Sequence, residues 1–238
     1  MGASRTMLVA GLSGLVGYAT AKHFAALPDW DVIAVSRRIP EEVKGVQAIE
    51  VDLLDQEACN EIFRGLPQVT NIVYAALIEK PGLVSGWRDR EQFQKNDTML
   101  RNLMDPLQKV STGLQHVSLL QGTKAYGLHV DRMRIPAREN SPRHPHENFY
   151  WLHEDYLREQ SEGKDWSWTA WYGSRTSGRD LRLSVPGLVV SPGMGQPLHD
   201  HVVCEDNTSR SGCCCQDRRP GCRAEAGRTA VLGHSRCP

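Results

Sequence analysis

Val9-Ala10-Gly11-Leu12-Ser13-Gly14-Leu15-Val16-Gly17 joins an apolar strand to a helical run almost at the start of the chain. A strand that turns this sharply into a helix needs small residues. Side chains at positions 11 and 14 would hold the backbone away from a pyrophosphate, and glycine at 17 lets helix and strand approach closely. The start of the helix offers amides and the positive end of a dipole to a phosphate. Gly11, Ser13, Gly14, Leu15, Val16 and Gly17 are therefore candidate contacts for a dinucleotide. A spaced glycine triplet also occurs as a purely structural turn, so the residues that follow must decide.

Trp30 to Val35 reads as a second buried strand and runs directly into Ser36-Arg37-Arg38. In a nucleotide-binding fold the end of the second strand meets the adenosine ribose. An acid there holds the 2′-hydroxyl of NAD, whereas a pair of guanidinium forks suits a 2′-phosphate. Ser36, Arg37 and Arg38 thus favour NADPH over NADH. A third strand, Gln47 to Val51, ends in Asp52-Leu53, close to the expected adenine, although Asp52 could equally cap the next helix.

Alternation continues downstream. Asp55 to Gly65 has a helical pattern, Val69 to Leu77 is a fourth strand, Arg90 to Val110 a long amphipathic helix and Leu114 to Leu120 a fifth strand. Strands separated by helices imply right-handed crossovers and a parallel sheet covered on both faces. The expected fold is α/β, a Rossmann-type doubly wound sheet, with chemistry just beyond the C-terminal ends of strands four and five. The 238 residues carry a formal net charge of +0. That balance offers nothing to a nucleic acid or an anionic membrane surface, and neither is expected as a partner. No apolar run approaches the roughly 18 residues of a spanning helix, and no leader precedes strand one, so a cytoplasmic location is expected. Met1 to Thr6 fits a loose myristoylation pattern, which is read as coincidence.

Two later segments carry a specific resemblance. Gly122-Thr123-Lys124-Ala125-Tyr126 follows strand five, and Asn148-Phe149-Tyr150-Trp151-Leu152-His153-Glu154-Asp155 opens another helix. Together with the glycine turn, Ser36-Arg37-Arg38 and Asn96 to Asn102, they resemble the progesterone 5β-reductase/iridoid synthase-like reductases, an atypical branch of the extended short-chain dehydrogenases. The similarity runs from about residue 6 to residue 169. It implies NADPH-dependent reduction of a carbon–carbon double bond conjugated to a carbonyl, with an enone or enal as the small-molecule substrate. It also implies that Lys124 supplies a cation beside the nicotinamide ribose and the enolate oxygen.

The family's tyrosine falls, by the same resemblance, on Trp151, with Tyr150 one residue earlier. One helical step turns a side chain by about 100°, and an indole is no substitute for a phenol. Three readings stay open: Tyr150 takes the role, Tyr126 supplies the hydroxyl, or the site binds cofactor without the chemistry. Tyr150 with Lys124 is the preferred catalytic pair. His129, His144, His146 and His153 lack metal-ligand spacing and are read as surface residues, and no metal is expected.

Residues 173–238 differ in kind. They contain no aromatic residue, lysine or isoleucine, yet hold six of the seven cysteines. Such a composition packs no core. A nucleotide-binding domain is expected over 1–172, followed by a disordered or out-of-frame tail in place of the substrate domain. Loss of the reading frame near residue 170 is the expected cause. Ala170-Trp171-Tyr172, read two bases later, gives an apolar residue, Val, then Arg or Trp, which suits a strand. Cys213-Cys214-Cys215 lacks the gaps of a zinc knuckle. The alternative function is an inactive NADP-binding remnant or sensor, whose sheet would stop at five strands with an uncovered edge. The sequence does not fix the oligomeric state or the identity of the substrate.

Overall fold

A computed structural model describes residues 5–40, 43–81, 86–132 and 142–173, together with the backbone of 183–185 and 188–190. β1 (Arg5–Ala10), β2 (Trp30–Ser36), β3 (Val46–Glu50), β4 (Asn71–Tyr74), β5 (His116–Gly122) and β6 (Ser167–Gly173) form one sheet in the order β3-β2-β1-β4-β5-β6. Each neighbouring pair is parallel. α1 (Leu15–Ala25), α2 (Gln56–Arg64), α3 (Arg90–Gln108) and α4 (Phe149–Ser161) supply four of the crossovers. This is the Rossmann-type doubly wound fold expected from the alternation. The strand order reverses between β1 and β4, which opens the crevice in which such folds bind ligands.

Alternation along β1 decides the two faces. Met7 and Val9 pack with Phe24 and Ala21 of α1, while Leu8 and Ala10 face the larger cluster built with α2, α3 and α4. A sheet buried on both sides needs strands apolar at every position, and Met7 to Ala10 are all 0% exposed. α1 buries Gly17, Thr20, Ala21 and Phe24, a three-and-four spacing that keeps one face on the sheet.

Strand and helix positions hold within a few residues, with some corrections. β4 is shorter than the apolar run implied: Ala75 N still donates to the Ala10 carbonyl at 2.9 Å, but Ala75 to Lys80 carry no regular structure. The new partner of this stretch is α3. The buried Asn96 side chain accepts from the Ile78 amide at 2.9 Å and donates to its carbonyl at 2.8 Å, standing in for a neighbouring strand. Asn102 donates to the Leu53 carbonyl at 2.8 Å. The helix cap predicted as an option for Asp52 belongs to Asp55, which accepts from Ala58 N at 3.0 Å; Asp52 instead accepts from Leu54 N at 3.0 Å. The sheet does not stop at five strands, since β6 pairs with β5 from His116–Ser167 to Gly122–Gly173.

The histidines are not surface residues. His153 is 2% exposed and its Nε2 contacts the Asn96 carbonyl at 3.0 Å, because α4 turns that position onto α3. His129, His144 and His146 are half-buried beside one another. β7 (Leu183–Val185) and β8 (Leu188–Val190) pair antiparallel. Otherwise the tail reading for 173–238, its cysteines included, lies outside the described residues beyond Gly173, as does most of the Met1–Thr6 pattern. Among the described residues no helix is long and apolar enough to cross a membrane.

Candidate active site

Parallel strands send all their C-terminal ends to one edge of the sheet, so five separate segments converge there. The glycine turn follows β1. Gly11 has φ +96, and a Cβ on it would sit 2.8 Å from the Ala75 carbonyl group. A Cβ on Gly17 would lie 2.1 Å from the Gly11 oxygen, so packing alone forces glycine at both positions. Gly14 differs. It is exposed, its φ is −89 and its virtual Cβ meets Gly11 O at 3.3 Å, which a small adjustment relieves. The fold does not require glycine at 14, whereas a ligand lying on the backbone there does. No side chain caps the start of α1 and no acid occupies its first turn, leaving that helix end open to an anion. Leu15 beside it is 74% exposed and Val16 half-buried.

At the end of β2 the buried Ser36 hydroxyl donates to Ser13 Oγ at 2.7 Å and accepts from Ser13 N at 3.3 Å, joining the glycine turn to the ribose side of the crevice. Arg37 and Arg38 are exposed and make no ion pair among the described residues. Asp52 is exposed after β3, while the Leu53 side chain is 4% exposed in the core and its carbonyl is engaged by Asn102, leaving only its backbone at the edge.

Beyond β4 and β5 the site is made of side chains. β5 runs into one turn of 3-10 helix, Thr123–Tyr126, which carries Lys124. Its ammonium donates to Glu79 Oε1 at 2.7 Å and lies 4.0 Å above the centre of the Trp87 ring. The Trp87 indole N–H donates to the same Glu79 oxygen at 2.5 Å. Burial alone would raise the Glu79 carboxyl; the hydrogen bonds from Lys124 and Trp87 outweigh it and hold the group below the usual carboxylate range. Tyr150 packs on the same indole at 5.2 Å between ring centres and is 7% exposed. Burial, reinforced by the Glu79 charge, pushes its phenol well above the ordinary range, which keeps it protonated.

α4 begins where it must for this. The Asn148 side chain accepts from Tyr150 N at 3.0 Å as the helix cap and donates to the Lys124 carbonyl at 3.1 Å. Gln121 donates to the Tyr150 carbonyl at 3.1 Å. Lys124 and Tyr150, 26 positions apart by their numbers, are thereby brought to one indole. Trp151 turns toward Arg143, whose guanidinium is 4.9 Å from its ring, and toward His146. Tyr126 is half-buried at the end of the Lys124 turn. His129, His144 and His146 stand behind the site; burial, with His146 and Lys124 nearby, lowers His129 to about 4. Among the described residues no group of three or more His, Cys, Asp or Glu is arranged to hold a metal ion.

Glu79, Trp87 and Gln121 were not picked out from the sequence as site residues, and Asn148 was read only as the opening of a motif. Glu79 left a signal there, as an acid two residues beyond the predicted end of strand four, where chemistry was expected.

Comparison with known proteins agrees with the architecture. Residues 7–153 match the NAD dependent epimerase/dehydratase family. The chain is 30% identical over 177 residues to the (S)-8-oxocitronellyl enol synthase of Catharanthus roseus, covering 68% of this chain and 42% of that protein. It is 30% identical over 166 residues to the 3-oxo-Delta(4,5)-steroid 5-beta-reductase of Arabidopsis thaliana, covering 64% of this chain and 41% of that one. The chain thus spans less than half the length of the curated relatives it matches. Among solved structures, UDP-glucose 4-epimerase from Brucella ovis in complex with NAD superposes with a TM-score of 0.57 at 20% identity, covering 70% of this chain and 51% of that one, a likeness of fold. The chain belongs to the NAD-dependent epimerase/dehydratase family of extended short-chain dehydrogenases, with homologues named as iridoid-type enol synthases and steroid 5β-reductases.

Proposed function

We propose that this chain binds NADPH and reduces the activated carbon–carbon double bond of an enone or enal. The observation that carries the reading is the meeting of Lys124 and a buried, protonated Tyr150 on the Trp87 indole, at the sheet edge that also carries the glycine turn. Gly11, Ser13, Gly14, Leu15, Val16 and Gly17 would hold the pyrophosphate; Ser36, Arg37 and Arg38 the 2′-phosphate; Asp52 and the backbone of Leu53 the adenine side. NADPH, when bound, supplies the hydride. As the hydride adds to the β-carbon, the π electrons move to the carbonyl oxygen, and that oxygen becomes an anion. Tyr150 donates a hydrogen bond to it and Lys124 adds a positive charge, both worth more in a buried setting than in water. Solvent returns a proton to the α-carbon. The steroid reductase among the relatives bears in its name a 3-oxo-Delta(4,5) substrate, which supports the same class of acceptor here.

Titration of the purified chain with NADPH and NADH, followed by nicotinamide fluorescence and then by addition of an enone panel, tests this. NADPH binding with turnover is expected, and failure to bind either nucleotide overturns the proposal. Binding without turnover leaves the cofactor assignment standing and marks the second reading, a nucleotide-binding chain that needs residues beyond the matched region for catalysis.

A further inference from the structure

Glu79 is held with unusual care for a residue outside regular structure. Asn96 fixes both backbone polar groups of Ile78 on one side, and on the other Gln92 Oε1 accepts from Lys80 N at 2.7 Å. The Lys80 ammonium is tied down in turn by Asp89 at 2.5 Å and Glu91 at 2.6 Å. Both neighbours being anchored to α3 and its cap, the Glu79 side chain is directed at the site, although 40% of it remains exposed. Its Oε1 then takes two donors from two further segments, Lys124 after β5 and Trp87 before α3. The rest of the surroundings are apolar: Phe93, Ala125, Phe149 and Tyr150 pack around Trp87. Among the described residues, the other titratable groups that face this cluster include His129, 5.8 Å from the Trp87 ring, His146, 4.9 Å from the His129 ring, and His153, 5.3 Å from the Phe149 ring, with Arg88 near His129.

We propose that Glu79 is a positioning residue which clamps the Lys124 ammonium onto the Trp87 face and keeps a carboxylate beside Tyr150, so that Tyr150 serves as a hydrogen-bond donor and not as a base. Burial already favours the neutral phenol of Tyr150, and the Glu79 carboxylate, held in place by Lys124 and Trp87, adds to it. The part this clamp plays in turnover rests on the reductase reading above: it holds Lys124 where that reading needs a cation.

The test uses the full chain and needs neither nucleotide nor turnover. Tyrosine labelled with carbon-13 at Cζ is titrated by NMR in wild type and in Glu79→Gln, with Tyr150→Phe identifying the resonance. In parallel, the rate of Lys124 acetylation is read by peptide mass spectrometry. In wild type Tyr150 is expected to stay protonated above the ordinary phenol midpoint of about 10; in Glu79→Gln its midpoint falls while burial still keeps it above that value, and Lys124 becomes several-fold more reactive. Glu79→Asp separates the two roles, because the shorter arm cannot reach both donors but retains the charge: Lys124 should become reactive while Tyr150 stays protonated. It also carries the test should Glu79→Gln fail to fold. Unchanged Tyr150 titration and unchanged Lys124 reactivity in the folded variants overturn the proposal. Because these readouts ignore cofactor, loss of the NADPH assignment would leave the clamp intact, and loss of the clamp would leave NADPH binding intact.

Discussion

The two halves of the sheet build their parts of the site by opposite means. On the β1–β3 side, the proposed nucleotide cradle is mainly backbone, a turn in which glycine is forced at 11 and 17 by sub-van der Waals distances and an open helix start, to which only the exposed Arg37 and Arg38 add side chains. On the β4–β6 side, the candidate reactive part is side chains, with Glu79, Trp87, Lys124 and Tyr150 arriving from four segments and held by hydrogen bonds at 2.5–3.1 Å. The first kind of site tolerates changes in side chain as long as the backbone is free to approach its ligand. The second fails when any one partner is displaced.

The largest expected effect breaks the backbone half. Gly17→Ala puts a methyl group 2.1 Å from the Gly11 oxygen and should cost on the order of 3 kcal/mol, together with loss of NADPH binding, as measured by thermal unfolding and nucleotide titration. Gly14→Ala sharpens the point, since stability should change by less than about 0.5 kcal/mol while nucleotide affinity falls at least tenfold. Equal losses of stability in both variants would mean that Gly14 is a packing glycine. On the other half, Lys124→Met should lower enone turnover by about 10²–10³, with NADPH affinity changing much less.

Acid is expected to act through His153, fully buried and lowered to about 4, chiefly by burial. The unfolded chain takes up this proton near pH 6.5, but the folded one only near 4. Stability should therefore fall as pH drops through that window, by on the order of 3 kcal/mol, and level off below it. His153→Phe should flatten that part of the curve in denaturant titrations at stepped pH. Arg37→Ala with Arg38→Ala is expected to weaken NADPH binding roughly 10- to 30-fold and NADH binding hardly at all. The smallest effect is Asn148→Ala, about 1 kcal/mol from the lost helix cap, visible as a fall in melting temperature of about 2–4 °C.

How much was legible in the sequence follows the same division. Local rules carried the strands, helices, glycine turn and arginine pair, since each depends on residues within one turn or one strand of each other. Asp55 shows a limit even there: Asp52 and Asp55 are both good caps by type, and only the turn made by Asp52 with Leu54 N separates them. Glu79 and Trp87 were missed because their meaning lies in Lys124, more than thirty positions away. His153 was misjudged for a related reason: its polarity indicated surface, but α4 turns it onto the Asn96 carbonyl. The choice among Tyr150, Tyr126 and a site without the chemistry depends on contacts remote in sequence; the structure places Tyr150 on Trp87 and Trp151 beside Arg143.

Between Gly11 and the Ala75–Ala76 backbone there is no room for even a methyl group. The two halves therefore meet without slack. A side chain at position 11 would press on the backbone that, four residues later, carries Glu79, so a change in the glycine turn would be felt on the other side of the sheet.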